Sequence, residues 1–364
     1  MTNRTWPEEA VMMTLAGIAY FSDIGGQLKN ANYATQGDWS VVWGPCDDSY
    51  GNLAYVAKSA ATGKYALVIR GSETNISFDT IYNWFYNLYV TWQNSWPYFP
   101  TQPKAMISYG SWVQASHLTT ASWNGQTLGE FLTQSLPKDA VLALAGHSLG
   151  GNLVTVLASW ISFLRGPDGS KPDLNTEVYT FAAPSAGNIQ FADGFNARFP
   201  NSYRYWNTLD AVPCAWDRLL ALNSLYEGIG IPTPAWIQDT VYTLEGLLLA
   251  SEWDYGSYYQ QPNGNGNPLT GSMSPLTNNY LTEVTYQHGV NVYLGLLHAP
   301  LLLPDKGLFT GVLRAGTYLA RPVPHERKVL DKPVPRPITG LDNPGFSGMR
   351  ISPLSRHSQA RCGF

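Results

Sequence analysis

The chain has 364 residues, of which 44% are hydrophobic and only 13% charged, with a formal net charge of −4 and a pI near 5.9. That length can bury one large α/β core or two smaller ones, and the acidic balance argues against nucleic acid as a partner. Cys46, Cys214 and Cys362 are odd in number and lack the spacing of a metal site, so no metal and no cofactor is implied.

From the N-terminus, "PEEAVMMTLAGIAYFSDI" has an apolar centre, but Glu8 and Glu9 precede it and Arg4 is its one positive charge. It makes a poor signal peptide, which leaves a cytoplasmic location or export by a non-classical route as the expectation. Pro7 and the two glutamates suit the first turn of a helix, the first of the domain. Farther on, "YALVIRGS" places Ser72 after an apolar strand and a glycine, where its N–H can point into a site. A simple turn serine would look the same. Ile81 to Phe99 then holds nine aromatic residues, a density that requires burial or an apolar partner. It reads either as a lid over an apolar pocket or as the core and rim of a cap.

In "LALAGHSLGGNLVTVLASW", Val141 to Ala145 read as a buried strand, while Leu149, Leu153, Val156, Leu157 and Trp160 recur at helical spacing. Ser148 therefore falls on a strand-to-helix junction. Such a turn strains the backbone of its central residue and crowds the positions two before and two after, which are Gly146 and Gly150. The helix N-terminus behind Ser148 offers unpaired N–H groups to a developing oxyanion. In a chain with 34 glycines the five-letter pattern alone is weak, and the flanking strand and helix give it weight. His147 reads as a packed or hydrogen-bonded histidine, because neighbouring side chains diverge at such a turn.

A nucleophilic serine needs a base and an orienting acid. In "SYRYWNTLDAVPCAW", Tyr203, Tyr205 and Trp206 suggest a strand, Asn207 to Asp210 its end and Pro213 a turn beyond it. Asp210 is the candidate acid and Asp217 the reserve. A long insertion at about 218–283 follows, within which "QQPNGNGNPLTGSMSP" reads as a flexible loop. In "TYQHGVNVYLGLLHAP", His288 begins an apolar helix-like run after a polar loop and His298 ends it. Both remain candidates for the base, with His288 favoured because catalytic groups sit on loops at element ends. The longest apolar run, "VYLGLLHAPLLLP", is too short to cross a bilayer, so no transmembrane segment is expected.

Residues 1–320 read as one catalytic domain, and 321–364 as a basic, Pro-rich tail with eight Lys/Arg against three Asp/Glu. The tail's composition fits wrapping of the acidic body, tethering to anionic surfaces or disorder.

Four blocks resemble the class 3 lipases, the fungal triacylglycerol lipases and their bacterial relatives. "YALVIRGSETNISFDTIYNWFYNL" is similar to their oxyanion strand and lid, "GHSLGGNL" to their nucleophile elbow, "VYTFAAPSAGN" to the strand and turn that follow, and "NTLDAVP" to the segment holding the acid. His288 and Tyr293 extend the likeness. The resemblance implies an α/β-hydrolase fold: a mostly parallel central sheet flanked by helices, with a short lid at about 73–90. It implies Ser148 as nucleophile, Asp210 as orienting acid, His288 as general base, Ser72 and Leu149 as oxyanion-hole donors, and Ile81, Trp84, Phe85 and Leu88 as lid and substrate-binding residues. The function expected is ester hydrolysis, foremost of triacylglycerols at a lipid–water interface. Phospholipase A1 and short-chain or feruloyl esterase are alternatives, and a catalytically silent lipid-binding relative is the alternative of another class. Thirteen tryptophans suit a protein that handles lipid, although a large aromatic core would look the same.

Overall fold

Seven strands form the central sheet of the computed structural model, which describes residues 6–47, 51–72, 89–99, 101–164, 175–256, 258–274 and 278–303. They are β1 (Trp39–Asp47), β2 (Leu53–Ser59), β3 (Tyr65–Ile69), β4 (Val141–His147), β5 (Asn175–Phe181), β6 (Ser202–Asn207) and β7 (Asn267–Leu269), and their order across the sheet is their order along the chain. The first three strands are antiparallel to one another. From β3 onward every pairing is parallel. Parallel neighbours need crossover connections, and these are what put helices on both faces.

Side-chain alternation decides what each face carries. Leu142 and Leu144 of β4, like Leu67 and Ile69 of β3, enter the larger hydrophobic cluster. Ala143, Ala145, Ala66 and Val68, one residue out of phase, enter the second. This is the two-residue period of strands buried on both sides. The small side chains of the second face admit α1 (Glu8–Ile18), which buries Met12, Met13, Leu15 and Ile18 there. Pro7 stands just before α1, and its carbonyl accepts the Ala10 N–H at 3.0 Å. The larger cluster receives α2 (Tyr109–Thr120), α3 (Leu149–Leu164), α4 (Ile189–Arg198), α5 (Ala235–Tyr255) and α6 (Tyr280–Gln287). The short α7 (Val290–Leu296) returns to the α1 side. The inner residues of α3, Leu153, Val156 and Leu157, are wholly buried, each worth about 1.5–3 kcal/mol.

Two expectations from the sequence need correction. The Gly- and Asn-rich stretch after Gln260 is not a flexible loop throughout. Asn267–Leu269 pair in parallel with Tyr205–Asn207 and extend the sheet by one strand. The exposed edge of β6 would otherwise leave its backbone groups unpaired, and a glycine-rich segment can approach it closely. Gly266, at φ +51°, lies where a Cβ would come within 2.5 Å of the Arg204 carbonyl. The Trp206 indole also donates to the Asn265 carbonyl at 2.6 Å. Secondly, His288 does not follow a polar loop: it caps the C-terminus of α6, a helix started by Asn279, whose side chain accepts the Thr282 N–H.

The remainder of the insertion is dominated by α5. Ile237, Val241, Leu244 and Leu248 form its buried stripe, while Tyr242 and Trp253 are 61% and 81% exposed. Among the described residues no helix is long and apolar enough to cross a membrane.

Candidate active site

Residue Ser148 has φ +61°, a left-handed conformation that non-glycine residues rarely adopt. It is fixed from both sides of the junction. Its N–H donates to the Phe181 carbonyl of β5 at 2.8 Å, and its own carbonyl accepts the N–H groups of Gly151 and Asn152 at 2.9 and 3.3 Å. The flanking glycines answer to sterics, as the sequence implies. A Cβ on Gly146 would stand 2.3 Å from the Gly150 carbonyl, and one on Gly150 would stand 2.1 Å from the Ile69 carbonyl. The elbow is thus pressed against the end of β3. Leu149 opens α3, so its N–H has no partner within the helix.

That contact brings the turn after β3 to the serine. A Cβ on Gly71 would lie 3.0 Å from the Ser148 Cβ and 2.3 Å from the Tyr20 hydroxyl. Ser72, the next residue, is half-buried. Ile81, Trp84, Phe85 and Leu88 lie outside the described residues.

On the other side, Asp210 and His288 meet. Asp210 is fully buried, and the His288 Nδ1 lies 2.8 Å from its Oδ2 and 3.0 Å from its Oδ1. The carboxylate also accepts the Val212 N–H at 3.0 Å and the Tyr293 hydroxyl at 2.7 Å. An ionised carboxylate accepts only, so the proton in the Asp210–His288 contact belongs to Nδ1. That leaves Nε2 as the basic nitrogen. Burial and the Asp210 charge push the Tyr293 phenol well above its ordinary pKa, which keeps it a donor. Tyr293 in turn accepts the Asn207 N–H at 3.0 Å. The Asn207 side chain holds the residue before the histidine, donating to the Gln287 carbonyl and side-chain oxygen at 3.0 and 2.7 Å. The end of β6 and the end of α6 are therefore locked together.

His147 joins this pair to the elbow. Its ring centroid is 4.7 Å from that of His288, and its Nε2 donates to the His288 carbonyl at 3.0 Å. Ser148 Oγ and His288 Nε2 are both buried, and among the described residues neither makes a hydrogen bond. The structure thus gathers Ser148, Gly71–Ser72, Asp210 and His288 into one place without joining Ser148 to His288 by a hydrogen bond. His298 is exposed at the end of α7, and Asp217 is half-buried; neither is among the hydrogen-bond partners of Ser148, Asp210 or His288. The arrangement suits nucleophilic attack assisted by a buried histidine and carboxylate. Among the described residues no group of His, Cys, Asp and Glu could hold a metal ion.

Sequence reasoning passed over Tyr20, Asn207 and Gln287. Asn207 lies in the segment quoted for the acid, where the sequence marks only the end of a strand and gives no sign of its contact with Gln287. Tyr20 ends an apolar helical pattern and gives no signal in one sequence.

Residues 66–217 match the family model for lipase (class 3), a span that runs from β3 through the elbow and Asp210. The fold is similar to that of M37 lipase, with a TM-score of 0.69 and 26% identity over 80% of this chain and 94% of that one. Against the Rhizomucor miehei triacylglyceride lipase the TM-score is 0.42, with 23% identity over 57% of this chain and 73% of that one. Lipase ZK262.3 of Caenorhabditis elegans is 24% identical over 217 residues, which are 57% of this chain and 54% of its own length. The chain thus spans about half the length of that curated relative. With the mostly parallel sheet, its flanking helices and the elbow at Ser148, the likeness to M37 lipase gives the chain the α/β-hydrolase fold, and its residues 66–217 are similar to the class 3 lipases.

Proposed function

We propose that the protein is a serine carboxylic-ester hydrolase and, within that class, a triacylglycerol lipase. One observation carries the reading: a fully buried Asp210–His288 pair at 2.8 Å stands beside a serine held at φ +61° on a strand-to-helix turn. In the proposed reaction His288 Nε2 takes the Ser148 proton as the hydroxyl oxygen attacks the ester carbonyl. Asp210 stabilises the imidazolium. The backbone N–H groups of Ser72 and Leu149 hold the tetrahedral oxyanion. Collapse expels the alcohol, which takes its proton from His288, and water repeats the sequence to release the fatty acid and free Ser148. The match of residues 66–217 to the lipase (class 3) family model supports an acylglycerol as the ester, which enters from a lipid–water interface.

The test is hydrolysis of p-nitrophenyl esters of increasing acyl length by wild type and Ser148→Ala. Activity that rises toward long chains and falls by at least about 10⁴-fold in the variant is expected. Activity confined to acetate or butyrate would replace the lipase by a short-chain esterase. A variant as active as wild type would remove Ser148 from the chemistry, and an inactive wild type would leave a lipid-binding relative.

A further inference from the structure

The half-buried Tyr20 and the buried His147, both outside the acid–base pair, bridge the parts of the site that come from different elements. The Tyr20 hydroxyl lies 3.1 Å from His147 Nδ1, and His147 Nε2 lies 3.0 Å from the His288 carbonyl. A carbonyl can only accept, so Nε2 carries hydrogen. Burial, reinforced by His288, holds the His147 imidazole well below its ordinary pKa. The ring is therefore neutral, its Nδ1 is a lone pair, and Tyr20 must donate to it. Burial also raises the Tyr20 phenol, opposed by a hydrogen bond from the Gly71 backbone, so the phenol stays protonated and its oxygen is free to accept the Gly71 N–H. Donor and acceptor directions run without conflict from Gly71 through Tyr20 and His147 to His288.

From this geometry we infer that Tyr20 and His147 are positioning residues, a relay that holds the turn after β3, the elbow and the backbone of His288 in one fixed arrangement. The inference rests on the ester-hydrolase reading above. Its physical content is twofold. The three parts come from the end of β3, the β4–α3 junction and the α6–α7 junction, so their mutual placement needs a cross-link that no single element supplies. Gly71 is part of it, since the phenol occupies the space a side chain there would need. The second part concerns charge. His288 becomes a cation while the tetrahedral intermediate exists, and a neutral imidazole at 4.7 Å does not repel it, whereas a second cation would. The ring of Tyr293, 5.7 Å from that of His147, packs against the same imidazole.

Three variants test the relay: Tyr20→Phe, which removes one hydroxyl and keeps the ring; His147→Leu, which removes both contacts; and His147→Gln, whose side-chain amide restores a neutral donor toward the His288 carbonyl. The readouts are kcat and KM for p-nitrophenyl butyrate, the rate of Ser148 labelling by a fluorophosphonate, and the melting temperature. The expected result is a kcat reduced about tenfold in Tyr20→Phe and about 10²-fold in His147→Leu, at a nearly unchanged KM, because misplaced groups cost rate more than affinity. His147→Gln is expected to recover most of the kcat lost in His147→Leu. Tyr20→Phe and His147→Leu with a kcat within about twofold of wild type would overturn the inference, and so would a Gln variant as impaired as Leu. Should His147→Leu not fold, Tyr20→Phe alone decides. A wild type that the fluorophosphonate does not label would instead strike the ester-hydrolase reading, so the two failures are distinguishable.

Discussion

Replacing Asp210 by Asn keeps the size of the side chain and removes its charge. Every contact to the Asp210 oxygens comes from a donor: His288 Nδ1 to both, the Val212 N–H to Oδ1 and the Tyr293 hydroxyl to Oδ2. An amide NH2 therefore meets a donor whichever way it is turned. At Oδ1 it opposes a fixed backbone N–H. At Oδ2 it can be accommodated if Tyr293 turns its proton away, and His288 Nδ1 then keeps a neutral oxygen as its partner. What is lost in that better arrangement is the attraction between carboxylate and imidazolium. With charge centres about 4 Å apart and an effective dielectric constant of about 20, that attraction is about 4 kcal/mol. Since it exists only when His288 is charged, it is a transition-state term and corresponds to about a 10³-fold loss in kcat. The wrong histidine tautomer would add to the loss. The assay is steady-state hydrolysis of p-nitrophenyl butyrate together with the rate of fluorophosphonate labelling, with circular dichroism to establish that the variant is folded. A folded variant within about tenfold of wild type in kcat would refute the assignment of Asp210, and the reserve candidate, Asp217, would then have to be tested in its place.

Two further outcomes follow from packing and charge. Gly150→Ala places a methyl group 2.1 Å from the Ile69 carbonyl, backbone that cannot swing away, so we expect a loss of at least about 2 kcal/mol in stability, read as a lowered melting temperature, with kcat lowered as well; a variant that melts with wild type would show that the elbow and β3 are not in contact. Glu252, 4% exposed, accepts the Tyr259 N–H at 2.9 Å, and burial, opposed by that bond and reinforced by Glu245 and Asp217, pushes its carboxyl from 4.5 up to about 7. Because folding favours the protonated form, the associated stability is complete below pH 4.5 and is lost as the pH rises through 7, by at most about 3 kcal/mol. Glu252→Gln keeps the acceptor, so its melting temperature should match wild type near pH 4.5 and exceed it at pH 8, and a difference that does not change with pH would contradict this.

What was legible in the sequence is what local sterics and periodicity write there. The elbow could be read because a left-handed serine needs glycines on both sides, and GHSLGG sits between a two-residue and a 3.6-residue pattern. The strand before Asp210 could be read because Tyr203, Tyr205 and Trp206 form a β-favouring cluster that ends in turn residues. Two readings failed, each because tertiary contact overrode local composition. "NGNGNPL" looks like a loop on propensity, yet its strand is specified by the open edge of β6, which lies about sixty residues away in the chain. The residues before His288 look polar because Thr282, Glu283, Gln287 and their neighbours serve hydrogen bonds inside the protein: Glu283 and Gln287 are wholly buried, and Gln287 donates to Glu283 at 2.6 Å. Tyr280, Glu283, Val284 and Gln287 form the buried stripe of α6, and because two of these four are polar the stripe does not read as an apolar face. Tyr20 was invisible for a related reason, since its one distinguishing contact is to a residue 127 positions on.

The hydrogen bonds around Ser148 also explain how the molecule tolerates its own strain. A left-handed serine costs roughly 1–3 kcal/mol, and that cost recurs in every folded molecule, so the surroundings must leave the residue no relaxed alternative. They do so on each side. Phe181 takes its N–H, the first turn of α3 takes its carbonyl, and the Ile69 carbonyl stands against Gly150. The strands that supply these constraints, β3, β4 and β5, are adjacent and parallel, and they end together. Their ends therefore move as one body, and a change at any of them is felt at the serine. The partners of His288 come from that body and from beyond it: His147 from the end of β4, itself held by Tyr20 after α1, and Asp210 and Asn207 from the end of β6. His288 is positioned through side-chain hydrogen bonds from several strand ends rather than by strand pairing, and that is why small polar substitutions among those contacts are expected to reduce rate while leaving the fold intact.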